Sequence, residues 1–509
     1  MDMAVTRIRA QAETLSLEMI GAASGASLAL YEYALYEDPP AAPTPSCRRI
    51  PVHEVAETPE GCVLTIGRFD GPRDRIYSAF RVAHGGAFVP GDRCVTDLSA
   101  VARHDHPYPI VETIKGLQVR MVDDAMALGV KHAAINLNQG DIMLPGPGEG
   151  VVAYELDGER FYFDEAFLRE FDETVKALSD RGVVVTLILL NSPRWKRPMH
   201  DDMRGVLLHP RYNPEGFISA FNVMSEPGLR HFRAFVEFVA ARYSRADQRH
   251  GRVVGYIVGN EIDSQWVWGN AGEMPVAQYM REYGVALRAA WIAARKEYAH
   301  ARVYVSLDQL WTIAHLDNPL RTYPGRTCLE LLNARVREEG NYDWAVAYHP
   351  YPEDLRYPDF WNDKTAPDSL DAPRITFKNI EQLPAFLRQE PFLIDGRPRR
   401  IILSEQGFNS MGTEESEAFQ AAAYALAYRK VASCPEIDAF ILHAHVDNLH
   451  EFGLNLGLWR VDERGEPLSK KPIYDVFRDI DGPRGDEVIA AAEPFLARRM
   501  NRGEDERLF

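Results

Sequence analysis

Between about residues 110 and 480 a short, nearly unbroken apolar run gives way to an amphipathic helical stretch, and this happens eight times. The runs are Gly116–Val119, His132–Leu137, Val183–Leu190, Val253–Val258, Val303–Leu307, Trp344–Tyr348, Ile401–Leu403 and Ile437–Leu442. Several are continuous in Val, Ile and Leu instead of alternating. Strands of that kind are buried on both faces, as in a parallel sheet jacketed by helices. Between them, Asp164–Asp180, Gly228–Tyr243 and Val276–Ala299 carry apolar residues at helical spacing. Ser225-Glu226-Pro227-Gly228 reads as a capped helix start with proline in the first turn. Eight βα units predict an α/β chain folded as a (β/α)8 TIM barrel with long inserted loops. A doubly wound open sheet is the alternative, but no GxGxxG or GxxxxGK[ST] follows any run.

Upstream the pattern has period two. Ala29–Tyr36, Val63–Phe69 and Arg75–Ala83 alternate apolar and polar residues, and the proline-rich Pro39–Pro51 connects two of them. The expected division is a β-rich region over 1–95, the barrel over 96–485 and a terminal helix and tail over 486–509. A content of 46% hydrophobic, 10% aromatic and 26% charged residues excludes a disordered chain. The net charge of −17, without a basic run, argues against nucleic acid and anionic membranes as partners. Cys47, Cys62, Cys94, Cys328 and Cys434 form no CxxC pair, so neither a disulfide framework nor a zinc knuckle is expected. The N-terminal residues do not read as a secretory signal and no run of about 18 apolar residues occurs, so a cytoplasmic protein is expected, or a secreted one if a leader was removed. The oligomeric state is not legible.

In such a barrel the chemistry sits where the strands end at their C-terminal face. The fourth run ends Val254-Gly255-Tyr256-Ile257-Val258-Gly259-Asn260-Glu261, and the seventh ends Ile401-Ile402-Leu403-Ser404-Glu405. One strand-end glutamate is ordinarily a solvated side chain. Two at matching depth, three strands apart around a ring of eight, can converge across the mouth. Glycosidic cleavage needs such a pair, one carboxyl to protonate the leaving oxygen and the other to attack the anomeric carbon or activate water.

With Asn-Glu closing strand four and a glutamate closing strand seven, the chain resembles the clan A glycoside hydrolases, retaining enzymes on a (β/α)8 barrel, over about residues 110–480. The resemblance implies Glu261 as general acid/base, Asn260 as a ligand of the sugar 2-hydroxyl and Glu405 as nucleophile. It also implies a carboxyl separation of about 5–5.5 Å. After strand six, Tyr348-His349-Pro350-Tyr351 adds a match. By the same resemblance Tyr351 hydrogen-bonds the nucleophile and His349 lies near the acid/base or the substrate. No cofactor or metal is implied, and the partner is an oligosaccharide, polysaccharide or simpler glycoside.

Further candidates for sugar contact come from the loops. Trp266 and Trp268 follow Glu261, Trp311 follows Asp308 on the fifth loop, and Trp195 and Trp361 lie on the third and sixth. Asn136 and Asn138 end strand two and Asn191 ends strand three, where amides can read hydroxyls. At strand eight the chain departs from the clan, which often carries tryptophan there. It reads Leu442-His443-Ala444-His445-Val446-Asp447, and His443 and His445 join the binding candidates. His104-Asp105-His106 and His443-Ala444-His445 leave a second reading, a metal-dependent barrel hydrolase, because alternate strand positions put two imidazoles on one face. A non-catalytic glycan-binding barrel is the third.

Overall fold

The computed structural model describes residues 3–21 and 27–502. Eight parallel strands close into a barrel in sequence order. They are β1 (Lys115–Leu117), β2 (His132–Asn138), β3 (Val184–Leu190), β4 (Gly255–Val258), β5 (Arg302–Leu307), β6 (Trp344–Tyr348), β7 (Ile401–Leu403) and β8 (Ile437–Leu442). β8 pairs back onto β1, with Gly116 opposite Ile441. The principal jacket helices are α1 (Val122–Ala127), α2 (Glu165–Ser179), α3 (Glu226–Tyr243), α4 (Val276–Glu297), α5 (Gly325–Glu339), α6 (Gln382–Leu387), α7 (Glu414–Ala432) and α8 (Pro472–Asp479). Ser225 caps α3 as its sequence predicts, accepting from the Gly228 amide at 3.2 Å.

The continuous apolar runs are explained by burial on two sides. Outward residues such as Leu187, Val258 and Val346 join the helices in one large core, while Ala134, Ile188, Ile257, Tyr304, Ala347, Ile402 and Ile441 fill the barrel interior. Small and large side chains interleave there, so the interior is packed and not a pore. Gly255 is one such accommodation: a Cβ on it would lie 2.7 Å from Thr186 Oγ1 and 3.2 Å from the Tyr304 ring. The register sets the depth of the strand ends. Val258 pairs with Val305, Leu307 with Tyr348 and Tyr348 with Leu403. Continued past the last pairs, this puts Glu261, Asp308, His349 and Ser404 at one level, with Glu405 one residue beyond.

Residues before the barrel form two four-stranded antiparallel sheets. Leu28–Ala34, Gly61–Gly67 and Ser78–His84 correspond to the three predicted strands. Ala4–Ala10 and Thr14–Ile20 are additional; in the second, Leu15, Leu17 and Met19 are buried and the residues between them only half so. Residues 1–2 and 22–26, within the expected β-rich region, and 503–509, at the end of the expected tail, lie outside the described residues. The sheets dock on α3 and α4 through Glu237, which accepts from Tyr77 Oη at 2.7 Å and from Lys296 Nζ at 2.9 Å. A hairpin of Val151–Leu156 and Glu159–Asp164 interrupts the β2–α2 connection, turning at Asp157-Gly158 with both φ positive, the Asp-Gly signal of a tight turn.

Candidate active site

β4 leaves the barrel through two left-handed residues, Gly259 at φ 79° and Glu261 at φ 38°. The second is not glycine, and such a conformation costs of order 1–3 kcal/mol unless its surroundings hold it. The hydroxyl of Ser306, at the end of β5, accepts from the Glu261 amide at 2.9 Å. Strain at this point aims the Glu261 carboxyl across the mouth. Its Oε1 lies 2.8 Å from His349 Nδ1, and His349 Nε2 lies 3.0 Å from Ser404 Oγ. From the same strand end as His349, Tyr351 Oη donates to Glu405 Oε1 at 3.3 Å. One oxygen of Glu261, one oxygen of Glu405 and one nitrogen of His349 lie within 4.8 Å of one another. Four candidates drawn from three strand ends therefore meet at one point.

The two glutamates have different surroundings. Burial, followed by the charge of Asp308, pushes the Glu261 carboxyl up to about 8, against the opposing influence of His443. Asp308 sits behind it in contact with Asp263, a buried carboxyl raised well above the usual range by burial and then by Asp308 and Glu261. His349 is lowered by burial, which keeps the imidazole neutral. Burial, then Glu405 and Glu261, raise Tyr351 well above the phenol range, so its hydroxyl remains a donor. At the end of β8, His443 Nδ1 is 2.6 Å from Gln118 Oε1 and its Nε2 is 3.3 Å from Glu451 Oε1. Burial opposes a charge on His443, but Glu451, Glu405 and Glu261 outweigh it and raise the imidazole.

The remaining candidates divide by burial. Asn260 and Asn136 are half-buried at the mouth, and their amides have no hydrogen-bond partner among the described residues. Trp195 and Trp268 are half-buried on top of the interior cluster. Seven candidates have their polar groups or rings engaged inside the protein. Asn138 accepts from the Ser192 amide at 2.7 Å and donates to the Ser192 carbonyl at 3.1 Å, which staples the second loop to the third. Asn191, fully buried, donates to the carbonyls of Leu207 and Ala220. Asp308 accepts from Ser264 Oγ and the Leu310 amide. Trp311 is fully buried, with its indole N–H on the Leu370 carbonyl and its ring edge-on to Phe386. Trp266 is 7% exposed and is covered by the Arg321 guanidinium at 3.7 Å. His445, fully buried, binds Asp124 at 2.9 Å and so ties β8 to α1. Trp361 likewise donates to the Arg498 carbonyl beside Phe419.

The histidine-cluster reading does not assemble. His104 and His106 are at the far end of the barrel, the first bonded to the Glu297 carbonyl and the second stacked on Tyr298 at 4.1 Å. His443 and His445 point to different partners. Among the described residues, Glu261, His349 and Glu405 are the one group whose donors are close enough to share a metal ion. Sequence reasoning missed Ser306, Ser404, Gln118 and Glu451. Ser404 directly follows an apolar run, and Ser306 and Gln118 lie one residue before the end of theirs, so all three were open to the same argument that found Glu261. Glu451 lies deep in a long loop, where no periodicity marks it.

Fold and site together define a (β/α)8 barrel with a carboxyl pair at its C-terminal mouth, one member raised above the usual carboxylate range. The chain belongs to a family of unknown function, DUF5722, whose model matches residues 107–501. No curated protein matches the chain. Among solved structures it is similar to a hyperthermophilic β-glucosidase from Pyrococcus furiosus, at 17% identity and a TM-score of 0.47, covering 74% of this chain and 86% of that one. It is also similar to a family 39 glycoside hydrolase from Bacteroides cellulosilyticus WH2 (13%, TM-score 0.44, 95% and 83% covered). A family 1 β-glucosidase from Thermotoga maritima is matched at 12% identity (TM-score 0.43, 70% and 84% covered). The functional reading rests on the site itself.

Proposed function

We propose that this protein is a retaining glycoside hydrolase in which Glu261 is the general acid/base and Glu405 the nucleophile. The observation that carries this reading is the close approach of the two carboxyls, with oxygens within 4.8 Å, each held by its own neighbour. That spacing suits direct attack on the anomeric carbon, whereas an inverting pair stands about 6.5–9.5 Å apart to admit water.

In the first step the protonated Glu261 gives its proton to the glycosidic oxygen while a Glu405 oxygen attacks the anomeric carbon. The carbon–oxygen bond breaks, the leaving group departs as an alcohol, and a glycosyl ester forms on Glu405. In the second, Glu261, now ionised, takes a proton from water as the water attacks the same carbon. The sugar leaves with retained configuration and both carboxyls return to their starting states. Burial and Asp308 favour the protonated Glu261 that the first step requires. The first step requires the His349 tautomer with Nδ1–H donating to Glu261 Oε1, which the Ser404 hydroxyl accommodates by donating to Nε2. The other Glu261 oxygen is then free to carry the transferred proton. Tyr351 holds Glu405 in place for attack.

The substrate class is a glycoside or a longer glycan, read by the free amides of Asn260 and Asn136. Among the described residues no helix is long and apolar enough to cross a membrane. The test is a panel of 4-nitrophenyl glycosides and oligosaccharides, with the first-formed product followed by proton NMR. Retention of configuration supports the reading, and a rate unchanged after chelation separates it from metal-dependent hydrolysis by the same three side chains. An inverted product, or no turnover of any glycoside, contradicts it.

A further inference from the structure

Three aromatic rings sit together over the β3–β4 side of the mouth. Phe217 stands edge-on to Trp195, with centroids 5.9 Å apart at 66°, and to Trp268, at 5.7 Å and 88°. Both tryptophans rest on the interior cluster that includes Ile188 of β3 and Ile257 of β4, the strand that carries Glu261. Phe217 is the outermost ring and is 51% exposed. Its backbone is not free to move. The amides of Phe217 and Ile218 both donate to the Val267 carbonyl, at 3.0 and 2.9 Å, and the Phe217 carbonyl accepts from Ser192 Oγ at 3.0 Å. A phenyl ring half in water and fixed to two loops forgoes burial that a small shift would recover.

Its position matters because the mouth has two unlike halves. Around β6, β7, β8 and β1 stand Tyr351, His443, Glu451 and Gln118, all able to hydrogen-bond. Over β3 and β4 the surface is aromatic. In double displacement the nucleophile attacks from the face opposite the leaving group, and the acid protonates the leaving oxygen from the leaving group's side. With Glu405 on β7 and Glu261 on β4, the leaving group extends over β3 and β4.

From this juxtaposition we infer that Phe217, braced by Trp195 and Trp268, is the leaving-group subsite, a platform for a flat apolar face. This rests on the glycosidase reading and deepens it. The shared chemistry is a ring presenting C–H or π surface, either the next pyranose of a glycan or an aryl aglycone.

The test compares Phe217→Ala with the wild type on three leaving groups attached to a sugar that the wild type accepts: 4-nitrophenol, a second sugar, and fluoride, which has no ring. The ratio kcat/KM reports steps up to departure of the leaving group. The expected result is a loss of about tenfold or more in kcat/KM wherever the leaving group is a ring. The glycosyl fluoride should stay within twofold and Phe217→Trp should restore the rate. The larger loss, on nitrophenol or on sugar, identifies which ring the platform serves. Equal loss on the fluoride would show a merely structural role, and no loss on any substrate would show no contact; either result overturns the assignment. A wild type inert on every glycoside, fluorides included, overturns the glycosidase reading and the subsite with it. Activity in the wild type with an indifferent Phe217→Ala removes the subsite alone.

Discussion

Replacing Asp308 by asparagine removes a charge and little else. The carboxyl lies behind Glu261 on the adjacent strand and is the second cause, after burial, of the rise in Glu261 to about 8. Strands in a sheet run ~5 Å apart, and at that order of separation two like charges at an effective dielectric near 20 repel by ~3 kcal/mol. Each 1.36 kcal/mol is worth about one pH unit. Without the charge, the protonated form of Glu261 loses part of its advantage and the group titrates lower. The basic limb of kcat/KM against pH reports the free enzyme's essential acid, so it should start near pH 8 and move down by about one unit or more in Asp308→Asn. The amide oxygen can still accept from the Leu310 amide, so circular dichroism and the thermal midpoint should show a folded protein. A basic limb that does not move, in a folded variant with measurable activity, would refute the electrostatic role given to Asp308. A limb moving upward would refute the sign.

Glu261→Gln should stabilise the protein in a pH-dependent way. The folded-state value is raised from 4.5 to about 8, so the stability contributed by the carboxyl is complete below 4.5 and is lost as pH rises through 8. Glutamine does not titrate, so the variant should gain ~4 kcal/mol over wild type by pH 8 and next to nothing at pH 4, read from chemical denaturation at the two values. Trp311→Phe should cost about 1–3 kcal/mol, because the Leu370 carbonyl loses its donor, while KM stays within twofold; a large rise in KM would return Trp311 to the substrate site.

The barrel was legible because its strands are buried on two faces, a pattern that needs no partner to be recognised. Glu261, Glu405, His349 and Tyr351 were legible for a related reason: each directly follows or nearly follows such a run, and the barrel's closure brings strand ends together. The loop candidates carried no equivalent signal. Whether an amide such as Asn138 or a ring such as Trp311 faces substrate or a neighbouring loop depends on how long loops fold over one another, as the Asn138–Ser192 staple shows. Phe217 was overlooked for the same reason, being an isolated apolar residue in a stretch without periodicity. Thr14–Ile20 was a different kind of miss: Leu15, Leu17 and Met19 alternate clearly, but the strand is held by pairing on both sides, with Ala4–Ala10 and with the distant Gly61–Gly67.

The central claim is the division of labour between the two glutamates, and chemical rescue tests it most directly. In Glu405→Ala an external azide can occupy the space of the missing carboxylate and attack the anomeric carbon of an activated aryl glycoside. The account predicts turnover restored from background, with a glycosyl azide of inverted configuration as the product. Under the same conditions Glu261→Ala should give an azide of retained configuration, formed after the enzyme's own first displacement. Inverted azide from Glu261→Ala, retained azide from Glu405→Ala, or wild-type hydrolysis by either variant would contradict it.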